Sequence, residues 1–395
     1  MKTHYSEELQ TLAQQGSLRT FRPLRNRDGC RVEFQKRTLL NLTSNDYLGI
    51  AADKELHRAF YAGLNDLDIL ESFGLGAASS RLLSGDNEVS HLLEERLCLA
   101  YQRPACLLFN SGYHANIGIL QALTSKSDLI LSDKLNHASI HDGLRLSRAA
   151  HKRFRHADYE HLYAILEKER QHYNRVIVVT ESVFSMDGDE ADLHRLVDIK
   201  KRFDCLLYVD EAHAVGLYGA KGLGKAEQYG LIDDIDLLVG TFGKACGSVG
   251  AFVVCHQEIY DYLVNFSRSL IFTTALPPVV IHWNLFVFNR IQEMQAQRQK
   301  LKQLSDLLRL ELEKNGLRSD GSTNIIPVIL GDNQLTVDMA EEMQRDGYLI
   351  FAVRPPTVPQ GTARFRLSLT ADMDWDDLAE LARRIRINQE RLRNA

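Results

Sequence analysis

Three short polar segments of this sequence carry side chains that can do acid–base or covalent chemistry, and each follows an apolar run. Ser185 lies in FSMDG, Asp210 and His213 lie in DEAH, and Lys244 lies in the glycine-studded turn TFGKACG. Glycine lets a backbone approach a ligand closely. A lysine in such a turn could bind an anion, act as a nucleophile or be an ordinary surface charge.

The apolar runs before these segments predict strands of one sheet. Several are apolar almost throughout, which is typical of strands buried on both faces. Between the runs, stretches such as Tyr159–Tyr173 and Leu193–Phe203 have apolar residues three and four positions apart, which predicts helices. The predicted strands are Ala105–Phe109, Leu129–Ser132, Arg175–Thr180, Cys205–Val209, Asp236–Val239 and Ala251–Cys255. This alternation indicates an α/β fold with a mostly parallel sheet between helices.

The sequence pattern changes at Pro277-Pro278. A long helical pattern from about Val279 to Gly316 is followed by short strands and helices, which predicts a smaller α+β domain. The first fifty residues predict one helix and then short strands. We therefore expect an N-terminal arm over residues 1–50, a large domain over 51–277 and a small C-terminal domain over 278–395.

Composition and charge argue against several classes of protein. With 45% hydrophobic and 25% charged residues, the chain has the composition of a soluble globular protein. A formal charge of −5 gives no reason to expect nucleic acid or an anionic membrane as a partner. There is no apolar run of membrane-spanning length and no signal-peptide pattern at the N-terminus. We expect a cytoplasmic protein without a metal site, because the six cysteines form no C-x-x-C pair.

Two stretches resemble motifs of the NTPases that drive helicases. GAKGLGK at 219–225 fits the phosphate-loop spacing, and VDEAH at 209–213 resembles a helicase motif. Their order is reversed, and position 226 is alanine where the magnesium-binding hydroxyl belongs. We therefore do not interpret the chain as an NTPase.

The three polar segments are better explained together than singly. A lone Asp at a strand end usually caps a helix, and a lone His or Lys usually has a structural or solvated role. In an open α/β sheet, however, ligands bind at the carboxyl ends of the strands. There, Asp210, His213, Ser185 and Lys244 suit pyridoxal phosphate. Aspartate keeps the ring nitrogen protonated and lysine forms a Schiff base, while the helix N-terminus within Asn110–Asn116 can bind the phosphate.

Seven motifs, in order over about residues 40 to 370, resemble the α-oxoamine synthases. They are SNDYLG (44–49), FNSGYHAN, KLNHASI (134–140), ESVFSMDGD, VDEAHAVG, TFGKACG and TTALPP (273–278). The resemblance implies a fold-type-I pyridoxal-phosphate enzyme that joins an amino acid to an acyl thioester with loss of CO2. Within the family, Arg354–Thr370 is similar to the member of the biotin pathway, which uses L-alanine and a pimeloyl thioester.

The resemblance also implies roles for individual residues. Lys244 matches the Schiff-base lysine, Asp210 the partner of the ring nitrogen, and His137 the imidazole stacked on the ring. The other implied cofactor contacts are His213 and Ser185 near the ring hydroxyl and Gly112, Tyr113 and Thr241 at the phosphate. Thr273 or Thr274 matches the position that reaches the phosphate of a neighbouring subunit. This implies a homodimer with shared active sites.

The strand predicted in RFRLSLT places the remaining substrate contacts. Alternation puts Phe365 and Leu367 toward the core and Arg364 and Arg366 on the other face. The resemblance implies that Arg366, with Asn45, binds the carboxylate of alanine. Arg364 is expected to form a surface ion pair.

One segment departs from the family pattern. Where relatives often have G-S-G-G-S-G, this chain has Gly76-Ala77-Ala78-Ser79-Ser80-Arg81. The acyl-chain selectivity therefore stays open, as does the choice between coenzyme A and a carrier protein as acyl donor. The alternatives are a sister synthase using glycine or another acyl thioester, and a non-catalytic partner subunit.

Overall fold

The chain folds into two compact units in a computed structural model that describes residues 3–14, 18–64 and 69–394. The larger unit comprises residues 53–185 and 190–298. The smaller unit comprises residues 1–52, 186–189 and 299–395. In the described residues, none of the helices has both the length and the apolar character needed to cross a bilayer.

Helices and strands alternate through most of the described chain. The helices are α1 (His4–Gln14), α2 (Lys54–Tyr61), α3 (Ile69–Phe73), α4 (Glu88–Tyr101), α5 (Gly112–Leu123), α6 (Ala138–Leu146), α7 (Tyr159–Glu169), α8 (Leu193–Phe203), α9 (Lys225–Gln228), α10 (Gln257–Phe266), α11 (Arg268–Ile271), α12 (Pro278–Ile291), α13 (Gln295–Lys314), α14 (Asn333–Arg345), α15 (Trp375–Leu378) and α16 (Leu381–Arg393). The strands are β1 (Arg25–Asp28), β2 (Arg31–Phe34), β3 (Arg37–Asn41), β4 (Ala105–Phe109), β5 (Leu129–Asp133), β6 (Ala150–Phe154), β7 (Val176–Glu181), β8 (Leu206–Asp210), β9 (Leu237–Thr241), β10 (Ala251–Cys255), β11 (Ile325–Gly331), β12 (Tyr348–Leu349), β13 (Ala352–Val353) and β14 (Ala363–Ser368).

The larger unit contains a seven-stranded sheet in the order β4-β10-β9-β8-β7-β5-β6. Only β10 runs against its neighbours β4 and β9, so the other six strands are parallel. The predicted α/β fold with a mostly parallel sheet is confirmed. The edge strand β6 was not predicted, because its sequence AHKRF lacks the apolar run of a buried strand and its central residues are exposed.

The central strands are buried on both faces. All six residues of β7, VIVVTE, are buried. The apolar side of α5, with Ala115, Ile119 and Leu123, packs in the same core as Ile177 and Val179 of β7. Burial of each large aliphatic side chain contributes about 1.5–3 kcal/mol, so this packing stabilises the sheet together with α5.

The smaller unit joins the N- and C-terminal parts of the chain. Strand β3 pairs in parallel with β12, which places Leu40 opposite Tyr348 in a four-stranded sheet of order β1-β2-β3-β12. A three-stranded antiparallel sheet has the order β11-β14-β13. The first fifty residues are thus part of the smaller unit rather than a separate arm.

The division between the units lies in α13, not at Pro277-Pro278. Helix α12 packs against α3 and α4 and so belongs to the larger unit. The single long helix expected over 279–316 is two helices, because Arg298 Nη1 donates to the carbonyl oxygen of Ile291 at 2.5 Å and Gln292 Nε2 donates to that of Phe288 at 3.1 Å. Side chains therefore satisfy the carbonyl groups at the end of α12.

Candidate active site

Five parallel strands end at the same edge of the larger sheet, and most of the predicted cofactor-binding residues follow them. Strands β4 and β5 lead to Gly112 and His137, and β7 leads to Ser185. Strand β8 ends at Asp210, and β9 leads to Lys244. Across the sheet, Asp210 lies opposite both Glu181 of β7 and Val239 of β9. The fold therefore brings side chains that are far apart in sequence to one edge.

Asp210 presents a buried hydrogen-bond acceptor. Asp210 is only 4% exposed to solvent. One carboxylate oxygen accepts from the backbone N–H of Ala212 at 2.9 Å, and the other accepts from Nδ2 of Asn116 at 2.9 Å. Because a carboxylate oxygen has two lone pairs, acceptor capacity is left for a third N–H donor. A protonated ring nitrogen is such a donor.

His137 caps the N-terminus of α6 and is exposed, so a ring face is available for stacking. Its Nδ1 accepts from the backbone N–H of Ser139 at 3.2 Å and lies 2.7 Å from the hydroxyl of the same serine. The pKa of His137 lies below its usual value, first because the ring is partly desolvated and second because Lys244 is positively charged. Because Nδ1 accepts a backbone N–H, the neutral form of this imidazole carries its proton on Nε2.

Lys244 lies in a tight turn that is closed by backbone hydrogen bonds. The glycines around it allow the backbone to form this turn. The N–H of Gly247 donates to the carbonyl of Lys244 at 2.8 Å, and the N–H of Ser248 donates to that of Phe242 at 2.9 Å. Gly247 and Gly250 have φ of +58° and +110°, values that L side chains disfavour. The positive charge of Lys244 lowers the pKa of His137 and opposes the rise in the pKa of Glu181. The lysine therefore faces the polar edge of the sheet.

The N-terminus of α5 can bind a phosphate. Ser111 caps this twelve-residue helix by accepting from the N–H of His114 at 3.2 Å. A Cβ placed on Gly112 would meet only the Cβ of Thr241, at 3.9 Å, so the two residues are adjacent. Free N–H groups and the helix dipole favour an anion here. The hydroxyl of Tyr113 donates to Asp142 at 2.8 Å, so this hydroxyl has a protein partner.

The other predicted cofactor contacts also lie in the larger unit. His213 is buried beyond the end of β8, and Ser185 is half-buried beyond β7. Asn110 Nδ2 donates to the carbonyl oxygen of Thr274 at 2.8 Å and lies 3.4 Å from the hydroxyl of Thr273. The segment with the two threonines is therefore bound to the end of β4.

Glu181 is a site residue that the sequence analysis missed. It is fully buried, and its Oε1 accepts from the N–H of His137 at 2.5 Å. Burial, and then the carboxylate of Asp210, hold the pKa of Glu181 well above its usual range. The signal in the sequence is the acidic residue that ends the apolar run VIVVTE. Asp210 and Glu181 are thus neighbouring carboxyl groups at this end of the sheet.

The predicted substrate residues meet in the smaller unit. Arg366 Nη2 donates to the hydroxyl of Tyr47 at 3.3 Å, and that hydroxyl donates to Oδ1 of Asn45 at 3.1 Å. Both Arg366 and Asn45 are half-buried. Tyr47 therefore links the two residues to which the resemblance assigns a carboxylate.

The expectation of a surface ion pair for Arg364 is wrong. Arg364 is 4% exposed and forms an ion pair with Asp187. The segment 186–189 belongs to the smaller unit, where Gly188 has φ of +65° and a Cβ would overlap the carbonyl oxygen of Ile325. Leaving one partner of a buried pair uncompensated costs about 3–5 kcal/mol, so the role of Arg364 is structural. Phe365 and Leu367 are buried in the core as predicted.

The segment that departs from the glycine-rich pattern keeps a glycine-like backbone. Ala78 has φ of +55°, in the left-handed region that costs a non-glycine residue roughly 1–2 kcal/mol. Arg81 forms ion pairs with Asp86 at 2.8 Å and with Glu94 at 2.5 Å. The alanine side chain is therefore accepted at a strained position beside a network of ion pairs.

The donor set and the fold define a pyridoxal-phosphate enzyme of fold type I. The site matches this cofactor part by part. An acceptor carboxylate suits the ring nitrogen, an imidazole with an accessible face suits the ring, a lysine in a glycine turn suits the aldehyde, and a helix N-terminus suits the phosphate. Among the residues described, no cluster of three or more His, Cys, Asp or Glu could hold a metal ion.

The comparisons with known proteins agree with this class. The model for "Aminotransferase class I and II" matches residues 37–385. A putative 8-amino-7-oxononanoate synthase of Pasteurella multocida is 50% identical over 94% of this chain and 96% of its own length. One from Neisseria meningitidis is 48% identical over 96% and 98%. The chain belongs to the aminotransferase class I and II family, and its resemblance to the 8-amino-7-oxononanoate synthases among the α-oxoamine synthases is confirmed.

Solved structures support the same assignment. A lysine-to-alanine variant of a serine palmitoyltransferase from S. paucimobilis, with a bound PLP–myriocin aldimine, has a TM-score of 0.89 and 28% identity, covering 98% of this chain and 97% of its own. An 8-amino-7-oxononanoate synthase from Francisella tularensis has a TM-score of 0.76 and 27% identity, covering 89% and 98%. The chain is therefore an acyltransferase-type enzyme that uses pyridoxal phosphate.

Proposed function

We propose that this enzyme condenses L-alanine with a pimeloyl thioester, giving 8-amino-7-oxononanoate, CO2 and a free thiol in biotin biosynthesis. The observation that carries the proposal is the 50% identity, over 94% of the chain, to a relative named for that product. The acyl donor is pimeloyl-CoA or a pimeloyl carrier protein.

The residues of the larger unit have defined tasks in this reaction. Bound pyridoxal phosphate supplies an electron sink for the Cα of the amino acid. Asp210 would accept from the ring nitrogen, and His137 would cover the ring face. Ser185 and His213 would contact the ring hydroxyl, and the N–H groups at Gly112 and Tyr113, with Thr241, would hold the phosphate. Lys244 would hold the cofactor through its aldehyde and would take the proton from the Cα of alanine.

Product analysis tests the reaction. The purified enzyme, loaded with pyridoxal phosphate, is mixed with alanine or glycine and with pimeloyl-CoA, pimeloyl carrier protein or a palmitoyl thioester. We expect mass spectrometry to find 8-amino-7-oxononanoate only with alanine and a pimeloyl donor. A product from glycine or from the palmitoyl donor alone would indicate a sister synthase, and the lack of any product would indicate a non-catalytic subunit.

We further propose that Arg366 and Asn45 bind the carboxylate of alanine. A guanidinium can bind a carboxylate through two parallel hydrogen bonds, which an ammonium cannot reproduce. Arg366→Ala should therefore raise the Kd for alanine by at least about tenfold, since a hydrogen bond to a charged group contributes about 1.5–3 kcal/mol. Arg366→Lys should recover little of this loss. Titration of the visible absorbance of the cofactor-loaded enzyme with alanine measures both.

Arg364→Ala is the matched control, because Arg364 is on the same strand and binds Asp187. It should lower the melting temperature and leave the Kd for alanine unchanged. If Arg364→Ala raised this Kd while Arg366→Ala did not, the assignment of the two arginines would be reversed.

The enzyme is proposed to be a homodimer in which Thr273 or Thr274 reaches the partner's phosphate. The segment next to these threonines exposes large apolar side chains. Phe272 is 70% exposed, and Leu75 and Leu83 are 87% and 80% exposed. The N–H of Ala275 donates to the carbonyl of Ser79 at 2.9 Å, which joins the two stretches. An exposed apolar surface of this kind favours coverage by a second copy.

Mixing two inactive variants tests whether active sites are shared. Lys244→Ala lacks the lysine, and the double variant Thr273→Ala/Thr274→Ala lacks both phosphate contacts from the partner. If sites are shared, each mixed dimer contains one site with a native lysine and native threonines, so mixing restores turnover. Each variant mixed with itself is the control. No recovery on mixing, or full turnover of the threonine variant alone, would contradict the proposal.

A further inference from the structure

A buried tyrosine lies beside the proposed ring-nitrogen partner. Tyr208 precedes Asp210 by two residues on β8, so both side chains lie on the same face of the sheet. Tyr208 is fully buried, and its hydroxyl donates to Oδ1 of Asn116 at 2.5 Å. A buried phenol hydroxyl is thus hydrogen-bonded among the residues proposed to bind the cofactor.

The amide of Asn116 uses all its polar atoms in the site. Asn116 is 1% exposed. Its Nδ2 donates to Asp210 at 2.9 Å and to the hydroxyl of Ser139 at 2.8 Å, while its Oδ1 accepts from Tyr208. With the amide turned over, Oδ1 would face the carboxylate of Asp210, and two acceptors would oppose each other. Only one orientation therefore suits both Tyr208 and Asp210.

The same amide also reaches His137. Since Nδ2 of Asn116 donates to the Ser139 hydroxyl, that hydroxyl is left to donate to Nδ1 of His137, 2.7 Å away. The hydrogen bonds run from Asn116 through Ser139 to the imidazole. A single amide thus supports both the group proposed for the ring nitrogen and the group proposed for the ring face.

We propose that Tyr208 is a positioning residue: its hydroxyl fixes the amide of Asn116, which in turn holds Asp210 and His137 in place for the cofactor ring. The inference rests on the proposed role of Asp210. Without the hydroxyl, Oδ1 of Asn116 becomes a buried acceptor with one partner fewer, and the amide is no longer held from the side opposite Asp210. A loss of part of the Asn116–Asp210 hydrogen bond weakens the contact of Asp210 with the ring.

Tyr208→Phe tests the inference in the full-length protein. We expect the Kd for pyridoxal phosphate, measured with the cofactor-free protein, to rise about tenfold, because hydrogen bonds to charged groups are among the strong ones. We also expect a changed pH dependence of the visible absorbance of the bound cofactor, since the ring nitrogen is less well held. A merely structural tyrosine would affect only stability.

Tyr101→Phe is the matched control. Tyr101 is equally buried in the larger unit, and its hydroxyl donates to the carbonyl of Leu223 at 2.7 Å, outside this network. Both variants should lower the melting temperature, but Tyr101→Phe should leave cofactor affinity and absorbance unchanged. Equal changes in the two variants, or native affinity and absorbance in Tyr208→Phe, would overturn the proposal.

A second variant, Asn116→Ala, covers the case in which Tyr208→Phe folds poorly, and a double-mutant cycle tests whether Tyr208 acts through Asn116. Asn116→Ala removes the amide itself, and should also weaken cofactor binding. In that background Tyr208→Phe should have no further effect on the Kd, because residues that act through one contact are not additive. Additive effects would overturn the proposal. Asp210→Asn separates the two levels: if it too leaves cofactor binding unchanged, the role of Asp210 fails, and if it alone weakens binding, only the role of Tyr208 fails.

Discussion

Lys244→Ala should abolish both the covalent attachment of pyridoxal phosphate and turnover. The turn at Gly243–Gly250 places one lysine at the carboxyl edge of the sheet. There its positive charge acts to lower the pKa of both His137 and Glu181. Removal of a positioned proton-transfer group alone typically costs about 10²–10⁴-fold in rate, and loss of the covalent link adds to this. We expect turnover to fall by more than about 10³-fold.

Borohydride reduction followed by peptide mapping measures the attachment. The native enzyme should carry the reduced cofactor on Lys244 alone. Lys225 is a useful comparison, because it is 3% exposed but forms an ion pair with Glu190 at 2.7 Å and lies 3.7 Å from the centroid of the Tyr218 ring. Label on Lys225, or on any lysine other than Lys244, would contradict the assignment. Lys221→Ala, at an exposed position, is the control that should keep native turnover.

A second measurement on the same variant needs no cofactor. In the cofactor-free protein the charge of Lys244 lowers the pKa of His137. Lys244→Ala removes that charge, so the pKa of His137 should rise, while the contribution of burial remains. Titration of the His137 ring by NMR follows this change. An unchanged pKa would mean that the lysine does not face the imidazole.

The sequence predicted well those elements whose burial follows a simple pattern, either throughout the element or along one face. Strands β4 and β10 have the predicted bounds, and so does helix α8. Apolar runs buried on both faces and an amphipathic helix both have a direct signature in the order of residue types. The candidate catalytic residues directly follow these apolar runs. For that reason the sequence could also predict that Lys244 and Asp210 lie at the same edge of the sheet.

The contacts that complete the site could not be predicted in this way. Tyr208 and Asn116 are 92 positions apart, and they meet only because α5 packs on the sheet. A buried tyrosine gives no sign in the sequence of whether its hydroxyl serves the site, as that of Tyr208 in β8 does, or only a carbonyl, as that of Tyr101 at the end of α4 does. Such contacts depend on packing between distant elements, which local periodicity does not contain.

The errors have the same origin. The ion pair of Arg364 with Asp187 depends on residues 186–189 folding with the smaller unit, although the residues on either side of them belong to the larger one. The break after α12 depends on Arg298 reaching back to Ile291, where neither proline nor glycine marks the end of a helix. In both cases the contact of one long arginine side chain decides the local structure, and such a contact leaves no trace in the hydrophobic pattern of the sequence.

Asp210→Asn should slow the reaction roughly 10- to 100-fold, because a hydrogen bond to a charged group is replaced by a neutral one and this difference of about 1.5–3 kcal/mol acts in the transition state. The structure adds a second cost. Asp210 accepts from both Ala212 and Asn116, whereas an asparagine amide has only one acceptor oxygen and turns an NH2 group toward the other donor or toward the ring nitrogen.

The exchange of the Cα proton of alanine with solvent, together with the Kd for pyridoxal phosphate, measures this loss before any acyl donor is involved. Asp128→Asn is the matched control: Asp128 is also fully buried, but it pairs with Arg175 at 3.0 Å at the start of β5, at the opposite end of the strand from His137. This control should lose stability and keep native exchange. Native exchange in Asp210→Asn would show that the carboxylate is not the partner of the ring nitrogen.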